Sequence, residues 1–176
     1  MDISRLFRGT VLVAGISFVS SGALALDASV QIKGKIKLMG CEVDTGSKDQ
    51  TVDFKRVNVP VSYPSGSVVA EKPFTIKLQN CESTAVADVS MSGTPDSFNA
   101  DYFALDSTSQ DSAKGIALRI KSTNGDVQNP SGKVVTWRFN SSSSEQLLTY
   151  NGALIKTSDI TNGKVNVNAE FSVNYR

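Results

Sequence analysis

Asp101, Asp106 and Asp111 fall five residues apart in a polar stretch, the nearest thing to a carboxylate pair in this chain. Two carboxylates can cleave a glycosidic bond when they face each other across the bond to be broken. Nothing in the sequence brings two of these acids across a cleft, so they read as solvated loop acids. Histidine is absent, which removes Ser-His-Asp and Cys-His catalysis and every histidine-based metal site. Cys41 and Cys81 are the only cysteines, too few and too far apart for a CxxC redox pair or a zinc ribbon. Trp137 shares a strand face with Val135 and Phe139 and reads as core or groove wall, and only weakly as a sugar-stacking platform. Lys33, Lys35 and Lys37 form a basic row that reads as the solvent face of one strand. Asn140-Ser141-Ser142 matches the N-glycosylation pattern, which is common by chance. The expectation is therefore no enzyme, no cofactor and no metal.

The whole-chain numbers agree. The sequence has 176 residues, 18 Lys and Arg against 17 Asp and Glu, and a formal net charge of +1. No basic excess is available to hold a nucleic-acid backbone. Hydrophobic residues make up 40%, the proportion of an ordinary globular domain.

Residues 1–25 form a unit apart. Arg5 and Arg8 are followed by the short apolar run Gly9 to Val19 and the small residues Ser20 to Ala25, with Ala23-Leu24-Ala25 as a cleavage pattern. This is a secretory signal peptide; the apolar run is well short of the ~20 residues that span a bilayer. Its removal takes away Arg5, Arg8 and Asp2 and leaves the two signs of charge equal. No later stretch is apolar enough for stable membrane insertion. Export means an oxidising compartment, so Cys41 and Cys81 are expected to form one disulfide. A loop of that length gains about 4 kcal/mol in the chain-entropy model.

Helical periodicity is hard to find in the remainder, and alternation is easy to find. Val30, Ile32, Gly34, Ile36 and Leu38 share one face, with Ser29, Gln31, Lys33, Lys35 and Lys37 on the other. Further strands are expected at Thr51–Phe54, Phe74–Leu78, Val86–Ser92, Ile116–Lys121, Lys133–Phe139, Glu145–Tyr150 and Lys164–Tyr175. Turn residues separate them at Tyr63 to Gly66, Gly93 to Asp96, Asn124 to Asp126, Pro130 to Gly132 and Asn162-Gly163. A short helical turn near Ser97–Leu105 is a weaker expectation. Many short strands and one long-range disulfide indicate an all-β, immunoglobulin-like sandwich.

The two ends of the chain stand out. In the last strand Val165, Val167, Ala169, Phe171, Val173 and Tyr175 alternate with Asn166, Asn168, Glu170, Ser172 and Asn174. A long apolar strand in that place is expected to be an unprotected edge, and proteins normally cover such edges. The first strand, close to the new N-terminus, either pairs within its own sheet or fills the edge of another molecule, a known recognition mode. Gly34 in its apolar face fits a place of close approach. The pattern alone leaves both readings open.

The ordered set Val30 to Ile36 before Cys41, Phe74 to Cys81 followed by Ser90 to Asp96, Gly115 to Ile120 leading into Asn124-Gly125-Asp126, and Gly163 through to the penultimate Tyr175 resembles the chaperone–usher pilins, structural subunits of bacterial adhesive fimbriae of the type 1 and P pilus kind. The resemblance covers essentially all of the chain after residue 25. It implies an incomplete immunoglobulin-like sandwich of six strands whose seventh is supplied by a partner. Residues 26–38 would be a donor-strand extension and residues 39–176 the incomplete domain. A periplasmic chaperone would fill the open groove first, and at an outer-membrane usher the N-terminal strand of the neighbouring subunit would replace it. Val30, Ile32, Gly34 and Ile36 would be the donor side chains. Val165, Val167, Ala169, Phe171, Val173 and Tyr175 would line the acceptor edge, with the carboxylate of Arg176 as an anchor for the chaperone. The place of work would be the periplasm and then a cell-surface fimbria. Alanine is modest after residue 25, which leans toward a minor or adaptor subunit. The competing reading is a self-complete secreted β-sandwich, a binding module or single-domain adhesin.

Overall fold

The computed structural model describes residues 40–60, 62–81, 86–107, 110–139 and 143–176. The expected signal peptide (1–25) and donor-strand extension (26–38), with Val30, Ile32, Gly34 and Ile36, lie outside the described residues.

Among the described residues, nine strands form two sheets: β1 (Glu42–Val43), β2 (Val68–Gln79), β3 (Val86–Gly93), β4 (Phe103–Ala104), β5 (Lys114–Ser122), β6 (Val127–Gln128), β7 (Val135–Arg138), β8 (Gln146–Thr161) and β9 (Ala169–Tyr175). Three of them (β1, β4, β6) are two-residue pieces. The remaining six carry the all-β sandwich expected from the alternation. One sheet runs β1-β2-β8-β5-β4, with β6 on β5; the other runs β7-β3-β9. All the ladders that join these strands are antiparallel.

The core lies where the two inner faces meet. Ile76, Leu78, Leu148 and Tyr150 come from the first sheet; Ala87, Val89, Met91, Val135 and Trp137 come from the second. Trp137 Nε1 donates to Tyr150 Oη at 3.0 Å, and the two rings meet edge to face at 5.5 Å. Phe74 also stacks on Tyr150, ring centroids 5.5 Å apart. Cys41 and Cys81 form the expected disulfide, closing a separation of 40 residues.

Four local expectations change. Thr51–Phe54 belongs to no sheet: among the described residues no backbone–backbone hydrogen bond reaches it. β8 does not stop at Tyr150 but runs on to Thr161. Gly152 to Thr157 is buried on both faces, and a doubly buried strand shows no alternation to read. β9 begins at Ala169, five residues later than the pattern starts, since Val165 to Asn168 has no ladder partner. The turn expected near Ser97–Leu105 forms no helix: Asp96 Oδ1 accepts from the amides of Phe98 and Asn99, and the chain then enters β4. The one described helix is α1 (Thr45–Lys48), capped by Asp44, whose Oδ1 accepts from the Gly46 amide at 3.0 Å. Four residues are too few to show a helical period.

Candidate functional site

Residues 51–59 read Thr-Val-Asp-Phe-Lys-Arg-Val-Asn-Val. Val52 and Phe54 are half-buried with exposed neighbours, and so are Val57 and Val59, but one extra residue separates the two pairs. Lys55 absorbs it in the left-handed region, φ 59°, a conformation that costs a non-glycine residue about 1–2 kcal/mol. Local bonds hold it there. Asp53 Oδ1 accepts from the Lys55 amide at 2.8 Å, and its Oδ2 ion-pairs with Lys55 Nζ at 2.6 Å. The Lys55 ammonium, and after it the Lys55 amide, hold the Asp53 carboxyl below its usual range. The extra residue acts as a bulge, which keeps both apolar pairs facing one way.

Opposite this segment runs the approach to β9. Lys164 exchanges backbone bonds with Asp111 and Ala113, Asn166 accepts from the Asp106 amide, and from Ala169 onward β9 pairs with β3. Those bonds use one side only. Among the described residues, no strand pairs with the other side of β9, and no backbone–backbone hydrogen bond reaches residues 51–59. Two extended segments thus face each other without a ladder between them.

The space between them is a cleft of two adjoining compartments, about 550 Å³ and about 530 Å³, which share Val52, Phe54, Leu154 and Val165. Phe74, Ile76, Leu118, Ile120, Gly152 and Leu154 line the first compartment from the large sheet. Ala113, Ile116 and Ile160 line the second. Gly152 keeps its compartment open: a Cβ there would lie 3.4 Å from Phe54 Cζ and 3.5 Å from Leu118 Cδ1. An apolar floor and two walls with alternating apolar side chains, with no ladder between the walls among the described residues, have the form of a sheet edge that lacks a strand.

The residues singled out in the last strand divide. Val165, Val167, Ala169 and Phe171 line the cleft. Val173 and Tyr175 do not line it; like Val167 and Phe171, they pack against the core. The Arg176 side chain folds back, with Nε 2.8 Å from Asp88 Oδ2. The opposite wall (Val52, Phe54, Val57, Val59) and the floor (Ile116, Leu118, Gly152, Leu154) were not anticipated as parts of a site. The wall had a signal, an alternation with one residue too many; the floor had none, because its residues also read as ordinary core.

Trp137 is 8% exposed and hydrogen-bonded inside the core, which makes it a core residue. Asp101 lies at the surface and accepts from Asn129 Nδ2 at 3.3 Å.

Comparison with known proteins gives the family and the fold. The type-1 fimbrial protein A chain of Escherichia coli is 27% identical, covering 94% of this chain and 96% of that protein. Protein LpfE of Salmonella typhimurium is 28% identical, covering 99% and 98%. Among solved structures, the P pilus rod subunit PapA superposes with a TM-score of 0.64 over 77% of this chain and 99% of its own, at 19% identity, a likeness of fold. The model of the family described as fimbrial protein matches residues 30–176, and the chain belongs to that family of fimbrial subunits.

Proposed function

We propose that this subunit joins its fibre by donor-strand exchange. A periplasmic chaperone lends a strand to the cleft, and at an outer-membrane usher the N-terminal strand of a neighbouring subunit takes its place. The observation that carries the reading is the unladdered cleft between residues 51–59 and the β9 edge. Its complement is in the sequence, where Val30, Ile32, Gly34 and Ile36 alternate as an inserted strand must. Val165, Val167, Ala169 and Phe171 then form the acceptor edge. Three or four apolar side chains entering at about 1.5–3 kcal/mol each, with backbone bonds on both sides, hold the strand tightly. The carboxylate of Arg176 is the anchor for basic residues of the chaperone. The modest alanine content favours a minor or adaptor place in the fibre.

The test compares the chain after residue 25 with the same chain carrying a copy of Ala28–Leu38 at its C-terminus on a short flexible linker. Periplasmic yield, oligomeric state and melting temperature are measured for both. The expected result is degradation or polymerisation of the first and a stable monomer of the second. Two equally stable monomers would overturn the reading in favour of a self-complete binding module.

A further inference from the structure

Gly40, the first of the described residues and next to Cys41, lies against the ring of Tyr175. A Cβ on Gly40 would come within 2.6 Å of Tyr175 Cγ and Cδ2, and the backbone there has φ 148°, outside the range of ordinary side-chain-bearing residues. The Tyr175 hydroxyl is buried and makes no hydrogen bond among the described residues. Two constraints therefore act on consecutive residues. The disulfide to Cys81 pins Cys41, and the ring of Tyr175 bears on Gly40. Tyr175 is in turn fixed by its own strand, since it pairs with Ala87 in β3, and the following amide, that of Arg176, donates to the Val86 carbonyl at 3.1 Å.

We propose that Tyr175 is a positioning residue for the fibre: by bearing on Gly40 it sets the direction in which the N-terminal strand leaves the domain, and with it the orientation of one subunit relative to its neighbour. This rests on the donor-strand reading above. The same strand that receives a neighbour along 165–171 braces, at 175, the root of the strand to be donated. Successive subunits are linked by a single strand, so freedom at its root becomes freedom between subunits. The requirement at Gly40 is for no side chain, and the requirement at Tyr175 is for a flat ring; the hydroxyl adds no well-formed bond.

The experiment uses fibres of the full mature chain carrying Asn124→Cys in an exposed turn as a spin-label site, and reads the distance distribution between labels of neighbouring subunits. Gly40→Ala and Tyr175→Leu are expected to broaden that distribution about twofold by populating additional orientations, and Tyr175→Phe to leave it unchanged. The melting temperature of each variant, with Ala28–Leu38 fused at its C-terminus, separates loss of orientation from loss of fold. Tyr175→Leu keeps an apolar filling where removal of the whole ring could unfold the domain. An unchanged distribution in folded Gly40→Ala and Tyr175→Leu, or an equal broadening in Tyr175→Phe, would overturn the inference alone. Failure of the unsubstituted chain to form any fibre or dimer would overturn the donor-strand reading and this inference with it.

Discussion

Lys72 Nζ donates to the backbone carbonyl of Asp53 at 2.8 Å, and this bond ties the unladdered wall of the cleft to the large sheet. Lys72 belongs to β2, where it pairs with Gly152 of β8; Asp53 belongs to a segment with no backbone–backbone bond of its own to a neighbouring strand. The wall is held near its start by a second side-chain bond, Gln50 Nε2 to the Thr75 carbonyl at 3.4 Å.

Lys72→Met should therefore release the wall without unfolding the sandwich. The methionine retains most of the apolar stem and loses the donor, so the local stability of the wall falls by about 1 kcal/mol. Amide exchange at residues 51–59 should quicken, while β2 and β8 keep their protection. Exchange that quickens uniformly across all three segments would show that the bond serves the whole fold and not the wall.

The pair Trp137 and Tyr150 joins the two sheets through the core. Tyr150→Phe leaves the indole N–H buried without its acceptor and is expected to cost about 1–3 kcal/mol. Trp137→Phe also removes volume and should cost more, about 2–4 kcal/mol. Because the two residues share one bond and one ring contact, the double variant should cost less than the sum of the singles. Denaturant unfolding of the four proteins measures that coupling.

The features legible in the sequence were those with a repeating or pairwise signature. The alternation from Val165 to Tyr175 marked an edge, and the export signal with two cysteines marked the disulfide. Three features were hidden, for separate reasons. The strand signal at Thr51–Phe54 was real, but a strand is made by its partner, and among the described residues none pairs with it. Gly152 to Thr157 is buried on both faces, so polarity could not report its direction. Lys55 carries a left-handed bulge, and lysine gives no warning of one. That Phe171 lines the cleft and Val173 does not was equally invisible, because one alternation runs through both.

Acid should loosen the C-terminal end of β9 before the rest. Asp88 accepts from Thr136 Oγ1 at 2.6 Å and pairs with Arg176. The Thr136 bond first, and the Arg176 bond next, hold its carboxyl below the ordinary value. A carboxyl whose folded pKa is depressed contributes stability that is fully present above the unfolded value, about 3.9, and lost as pH falls through the folded one. At the alkaline end, burial raises the Tyr150 phenol above its usual value, outweighing its bonds from Gln128 and Trp137. That contribution is present below pH ~10 and lost as pH rises through the folded pKa. Melting temperature against pH should fall at both ends. Asp88→Asn should flatten the acid limb and Tyr150→Phe the alkaline one, and an acid limb unchanged in Asp88→Asn would assign it to other carboxylates.

Gly152→Leu should separate receiving a strand from donating one. A Cβ at this position meets Phe54 Cζ at 3.4 Å and Leu118 Cδ1 at 3.5 Å, so the first atom fits at ordinary contact and the remaining three project into the compartment. The side chain would occupy with its own apolar atoms the space that the proposed incoming strand would enter. Replacing a strand glycine also removes an entropic cost of about 0.5–1 kcal/mol, so the unfilled subunit should be no less stable than before, and more soluble. Capture of an added peptide spanning Ala28–Leu38 should fall at least about tenfold, equivalent to about 1.4 kcal/mol. The N-terminal strand is untouched, so the variant should still be captured by an unsubstituted subunit and should cap a growing fibre at one end. If the variant captures the peptide as well as the unsubstituted chain, the incoming strand does not pass over Gly152, and the acceptor surface lies elsewhere on the sandwich.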